Sequence, residues 1–215
     1  MTLRERERGG QLSLLDAGAA NLAAKYKITF PAPVGRTLDI DGDIKPETLE
    51  GIKHAIVEAC ARSQERDFTL RICTNGGDVD VALEFVDWIE YIHPEIHLTT
   101  VGYGRVFSGG IVLFALGNTR YCTENTLFLH HDTELDLDEN DKKLTLTNVN
   151  RWKSELEVTH ERLHRHLERK TGTKASEWRS MLPETYLSPE EALNINLTHY
   201  ILRTVRKSDN TDPLP

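Results

Sequence analysis

Between residues 36 and 131 the chain alternates short apolar runs with amphipathic stretches, and this alternation limits the fold more than any other feature. Segments 36–40, 68–73, 96–101, 121–122 and 127–130 read as strands, with Asp41-Gly42 as the turn after the first. Segments 46–61 and 79–92 carry helical periodicity. In the first, Ile52, Ile56 and Ala59 share one side and Pro46 sits near the first turn. In the second, Val81, Phe85, Trp88 and Ile92 follow a 4-3-4 spacing. Segment 108–116 is apolar nearly all round, the pattern of a buried helix. Strands and helices in this order require crossover connections, hence an α/β fold with a mostly parallel sheet.

Beyond residue 131 the pattern changes. Segment 144–170 is the longest helical candidate, with Val149, Trp152, Leu156, Leu163 and Leu167 in one stripe and Gly172 as a stop. A long helix with so narrow a stripe can project from its domain and pack on a neighbour. A further helix starts at Ser188, an N-cap followed by Pro189 and by Glu191 three residues on. Segment 200–205 reads as a last strand. Residues 1–35 form an N-terminal arm: alternating Arg and Glu, Gly9-Gly10, a modestly apolar stretch at 12–24 with room for one short helix, and a Pro31-Ala32-Pro33 break. The expected organisation is this arm, one domain over 36–205, and a mobile tail at 206–215.

The 215 residues carry a net charge of -8, which disfavours a broad nucleic-acid-binding face. The longest wholly apolar run, 111–116, is far shorter than the ~20 residues of a membrane span. The N-terminus has no apolar core of a secretory signal. Cys60, Cys73 and Cys122 are odd in number, widely spaced and set among apolar residues, as reduced core thiols of a cytoplasmic protein would be.

Four segments could carry chemistry. Asn75-Gly76-Gly77-Asp78 lies between a strand and a helix, where glycines let backbone amides approach an anion or carbonyl; a plain β-α turn needs the same glycines. In Gly104-Arg105-Val106-Phe107-Ser108-Gly109-Gly110, Ser108 enters the buried helix at its positive end. That suits a nucleophile whose attack creates an oxyanion, and equally an ordinary N-cap. It is not the G-x-S-x-G elbow, because Val106 stands two before the serine. His130 and His131 end a strand and point to opposite faces, so at most one of them serves a given site. Glu184 precedes the helix capped by Ser188 and on its own reads as a surface carboxylate.

In order and spacing these pieces resemble the ClpP peptidase family, the self-compartmentalising serine proteases, from about Arg36 to Val205. Thr74-Asn75-Gly76-Gly77 is similar to that family's Ser-Pro-Gly-Gly turn. Gly104 to Gly110 is similar to its Gly-x-x-x-Ser-x-Gly segment, which places Ser108 at the nucleophile. The strand ending in His130-His131 is similar to its Ile-His ending, which places His131 at the general base. Glu184-Thr185-Tyr186-Leu187-Ser188 resembles its Asp-x-Phe-Leu-Ser segment, with Glu184 at the acid. The resemblance implies a ClpP/crotonase-like β-α-β superhelix whose long helix is the projecting handle that joins two rings. It implies an oxyanion hole from the amides of Gly77 and Gly109, and a homo-oligomeric ring, stacked in pairs, that encloses the active sites. Peptides or unfolded proteins would be the substrates and an ATP-driven (AAA+) unfoldase the partner. No metal or cofactor is implied.

The chain departs from the family in places. Glu184 replaces the usual Asp, Asn75 the turn proline, Asp132-Thr133 the usual Gln-Pro, and Gly109 a larger residue. Asp132 is thereby a second carboxylate near His131. The arm does not resemble the family's axial loops. Three other readings compete. One is a non-catalytic ring subunit. Another is a crotonase-like acyl-CoA enzyme, which shares the fold but not a serine–histidine pair. The third is a zinc protease, because His160-Glu161-Arg162-Leu163-His164 is a formal H-E-x-x-H. On a helical wheel His160 lies about 40° from the stripe and Glu161 about 140° away, so the would-be base faces solvent.

Overall fold

The computed structural model describes residues 36–134 and 145–203. The arm, the tail beyond residue 203 and the first residue of the long helical candidate lie outside them. Strand β1 (Thr37–Asp41) leads into helix α1 (Pro46–Arg62), which buries Leu49, Ile52 and Ile56. Strand β2 (Asp67–Thr74) follows, then helix α2 (Val79–Asp87), whose end widens into a π-helical turn, Trp88–Ile92. Strand β3 (His97–Phe107) enters helix α3 (Gly109–Leu116). Strands β4 (Thr119–Thr123) and β5 (Leu127–His131) come next. The long helix α4 (Leu146–Thr171) and the short α5 (Ala175–Ser180) precede strand β6 (Glu184–Leu187), helix α6 (Pro189–Asn194) and strand β7 (Tyr200–Leu202).

The strands form one seven-stranded sheet. Strands β1, β2, β3, β4 and β7 lie side by side and parallel. The second half of β3 pairs in parallel with β5, and β5 pairs antiparallel with β6. The mostly parallel sheet expected from the alternation is therefore present. All eight residues of α3 are buried, as its uniform apolarity requires. This helix packs on β2 and β3 of the sheet and also touches α2 and α4, so it is the centre of the core.

Four expectations need correction. The strand read as ending at residue 101 does not end there, because β3 runs on to Phe107. Its glycines fit a strand that a neighbour approaches closely: a Cβ on Gly102 would lie 3.0 Å from Val106 and 3.1 Å from Phe114. The pairing with β2 shifts register between Ile72 and Thr74, and that irregularity turns the strand end toward β5. The α2 stripe is also rotated from the expected one. Val79, Ala82, Leu83, Phe85 and Val86 are buried, whereas Ile92 is exposed and Val81 and Trp88 half-buried. In α4 the stripe is buried only in its second half, at Leu163 and Leu167; Val149 is exposed, Trp152 and Leu156 half-buried. Of the cysteines, only Cys122 is buried, and its burial raises the thiol pKa; Cys60 and Cys73 are half-buried.

The expected stops and starts hold. Gly172 ends α4 with φ 79°, in the left-handed region. Ser188 and Glu191 form a reciprocal capping box with Pro189 at the first position of α6.

Candidate active site

Ser108 joins β3 to α3 with φ 53° and ψ -125°, a conformation that strains any residue with a Cβ. The strain follows from a tight fixture on both sides. Its amide donates to the Leu129 carbonyl of β5 at 2.8 Å, and its own carbonyl accepts from Ile111 at 2.9 Å. Its side chain does not cap α3, and its hydroxyl bonds no other described residue. The ordinary N-cap explanation for a serine at this place therefore fails. An idle hydroxyl remains at the positive end of a buried helix.

The Asn75–Asp78 turn packs directly against this serine. A Cβ on Gly76 would lie 2.5 Å from Ser108 Cβ and 3.2 Å from its Oγ. A Cβ on Gly77, where φ is 141°, would meet the Ile44 amide nitrogen at 2.7 Å. Glycine is needed at both places. Ile44 pins the turn by donating to the Gly76 carbonyl at 2.8 Å and accepting from the Asp78 amide at 3.0 Å. Thr74 Oγ1 accepts from the Gly76 amide at 2.9 Å, and the Asp78 carboxylate caps α2 by accepting from Val81 at 3.1 Å. The Cβ direction of Gly109 meets the Gly77 carbonyl at 3.2 Å, so the two glycine segments touch. Among the described residues, the amides of Gly77 and Gly109 donate to no protein acceptor. Ile44 gave no sign of this part in the sequence.

Strand pairing separates the two histidines. His131 lies opposite Glu184 across the β5–β6 ladder, and His130 opposite Thr185. Directly opposed residues share a face, so the His131 ring and the Glu184 carboxyl stand on one side of the sheet. Leu129 and its partners Phe107 and Tyr186 share that side, and those two aromatic rings meet edge-on at 6.0 Å. His131 is half-buried and Glu184 exposed. Neither side chain bonds the other, and the His131 ring does not bond Ser108. The other carboxylate, Asp132, turns elsewhere: its Oδ1 is 3.9 Å from His160 Nε2.

His130 faces the interior. Its Nε2 is 3.3 Å from that of the fully buried His164, and its ring stands edge-on to Trp178. Burial and the neighbouring imidazole push both pKa values down to about 4, so both rings are neutral at ordinary pH. The H-E-x-x-H segment shows none of the geometry of a zinc hydrolase. His164 Nε2 faces His130, His160 Nε2 accepts from the Thr133 amide at 2.9 Å, and Glu161 is half-buried, bonded to Arg165 at 2.8 Å and Arg179 at 2.9 Å. Among the described residues, no group of three or more His, Cys, Asp or Glu could hold a metal ion.

Comparison with known proteins points the same way as the fold. A family profile described as Clp protease matches residues 25–205, starting inside the segment read as an arm. Among solved structures, the chain is similar to a mutant ClpP1 from Listeria monocytogenes at 22% sequence identity. The TM-score is 0.67, and the match covers 79% of this chain and 92% of that one. A likeness at that identity speaks for the fold: the α/β architecture is that of ClpP.

Proposed function

The chain belongs to the Clp protease family, and on that premise we propose that it is a serine-type endopeptidase working inside a ring of its own copies. One observation carries the reading: the strained backbone of Ser108 and its hydroxyl, idle at the N-terminus of α3. A merely structural serine there would cap the helix and would not need a left-handed φ.

In this mechanism Ser108 Oγ attacks the scissile carbonyl carbon while His131 takes the hydroxyl proton. The amides of Gly77 and Gly109 bind the tetrahedral oxyanion, each donor being worth about 3–4 kcal/mol in comparable hydrolases. His131 then passes its proton to the leaving amine, and water repeats the cycle on the acyl-enzyme. Glu184, opposite His131, orients the imidazole and balances its charge when protonated. Because Ser108 and His131 share no hydrogen bond in the single subunit, the pair closes on substrate binding or assembly. The Phe107–Tyr186 pair supplies an apolar wall beside it. Enclosure in a ring restricts substrates to peptides and unfolded chains, and an ATP-driven unfoldase would feed it.

A fluorophosphonate probe tests this. Labelling at Ser108, lost in Ser108→Ala together with peptide cleavage while the oligomer persists, is the expected result. Glu184→Ala weakens cleavage less than Ser108→Ala or His131→Ala. Unchanged turnover in Ser108→Ala refutes the assignment. An assembled ring that never labels favours the non-catalytic subunit instead.

A further inference from the structure

We infer that His160, on the long helix α4, is a positioning residue for His131, holding the backbone segment that follows it. The inference rests on the proposed peptidase chemistry.

His131 is the last residue of β5, so nothing in the sheet holds the chain beyond it. Among the described residues, two hydrogen bonds do so instead. The Asp132 amide donates to the Pro183 carbonyl at 2.9 Å, which ties the segment to the residue before Glu184. The Thr133 amide donates to His160 Nε2 at 2.9 Å, which ties it to α4. Among the described residues, the second is the only hydrogen bond given to this segment by a titratable side chain. A strand end released from such a bond frays, and fraying at Asp132 and Thr133 moves the backbone from which the His131 ring projects. A displacement of about 1 Å at a reacting group costs on the order of a hundredfold in rate.

The bond depends on the protonation of one atom. His160 accepts only while Nε2 keeps its lone pair. When Nε2 gains a proton from solvent it becomes a donor, and it repels the Thr133 N–H. The acceptor at hand is then Asp132 Oδ1, 3.9 Å away. One nitrogen thus has two exclusive partners on adjacent residues, and its choice sets how the end of β5 is held. Solvent reaches the ring, whose side chain is 21% exposed. Among the described residues, Asp132 Oδ1 on the held segment faces its Nε2, and the His164 ring, one turn on along α4, lies 5.8 Å away; His160 also acts electrostatically on His130 of β5, while Arg179 of α5 and Glu161, bonded to each other, act on His164. The same residue type at 160 formally suits a metal ligand, but its lone pair is already occupied.

The test compares wild type, His160→Ala and His160→Gln as assembled protein. Glutamine keeps an acceptor for the Thr133 amide but cannot titrate. Three readouts are taken from about pH 5.5 to about pH 8: fluorophosphonate labelling of Ser108, kcat and KM for a short peptide, and amide exchange over residues 130–134. His160→Ala is expected to lower kcat and labelling about tenfold with KM unchanged, and to speed exchange at Thr133. His160→Gln is expected to restore the neutral-pH rate and to lose less activity toward acid than wild type. Full labelling and kcat in His160→Ala overturn the inference and leave the peptidase reading intact. So does equal impairment of the two variants at equal melting temperature. If His160→Ala does not fold, the acid limb of His160→Gln decides alone, and an unaltered limb overturns the inference. Wild type that never labels, while exchange at Thr133 still responds to His160→Ala, overturns the peptidase reading; the contact then positions no catalytic group.

Discussion

At the scale of single residues, glycines and histidines divide the work between geometry and charge. Gly76 shows the first. Any side chain there meets Ser108 Cβ at 2.5 Å on a backbone with φ 108°. Gly76→Ala is therefore expected to push Ser108 out of place and to cut fluorophosphonate labelling about a hundredfold, with the far-ultraviolet circular dichroism unchanged. Labelling at the wild-type rate would show that the turn yields instead. The buried histidines show the second. His130, His164 and His166 all have their pKa values lowered to about 4, mainly by burial. The unfolded chain binds these protons near pH 6.5, so between about pH 6.5 and about pH 4 it holds more protons than the folded one. Their contribution to stability is complete above that window and lost as pH falls through it. Urea unfolding is expected to show a loss of a few kcal/mol between pH 7 and pH 5. The double variant His130→Phe, His164→Leu, which replaces both partners by apolar groups, is expected to flatten that loss. An equally steep loss in the variant would place the titration elsewhere.

At the scale of elements, β3, β6 and α4 differ most from what their own sequences convey. The β5–β6 ladder places Glu184 opposite His131, yet β6 has only four residues and no apolar alternation to announce it. Position 184 stood out only through the resemblance of its segment to the family. Helix α4 was legible as a helix, but not as one with two different halves. Its second half docks on the domain through Leu163 and Leu167, with Arg162 ion-paired to Asp80 and Arg169 and Lys170 to Glu90. Its first half leaves Leu146 78% and Val158 59% exposed. In the proposed ring assembly another copy would cover these apolar side chains. Leu146→Asp with Val149→Asp is expected to reduce the oligomer to smaller species by analytical ultracentrifugation, without loss of helical signal. An unchanged oligomer would remove α4 from the assembly surface. The Thr145 cap, whose hydroxyl accepts from Asn148 at 3.2 Å, fixes where this half begins.

At the scale of the whole molecule, Arg120 joins parts that are far apart in sequence. It is 3% exposed, and its guanidinium donates to the carbonyls of Gly117, Lys170, Asn196 and Leu197. These bonds tie the start of β4 to the end of α4 and to the chain beyond α6. Among the described residues, no carboxylate bonds it; burial lowers its pKa to about 10, so it stays charged. Arg120→Met strands four carbonyls and is expected to cost about 3–5 kcal/mol in urea unfolding; a loss below 1 kcal/mol would mean that water replaces the guanidinium. Nothing near position 120 in the sequence signals this hub. The sequence alone determined what depends on periodicity and on local chemistry: the order of strands and helices apart from the short α5 and β6, the buried α3, and the caps at Gly172 and Ser188. Those features arise from contacts within a few residues, which spacing encodes. Tertiary structure alone decided which face of α2 is buried, that β3 continues through its glycines, that Ser108 leaves α3 uncapped, and that Asp132 turns to His160 rather than to His131. Each of these depends on a partner tens of residues away, and the energy of such a contact is absent from the local pattern because either partner, read alone, is compatible with several surroundings.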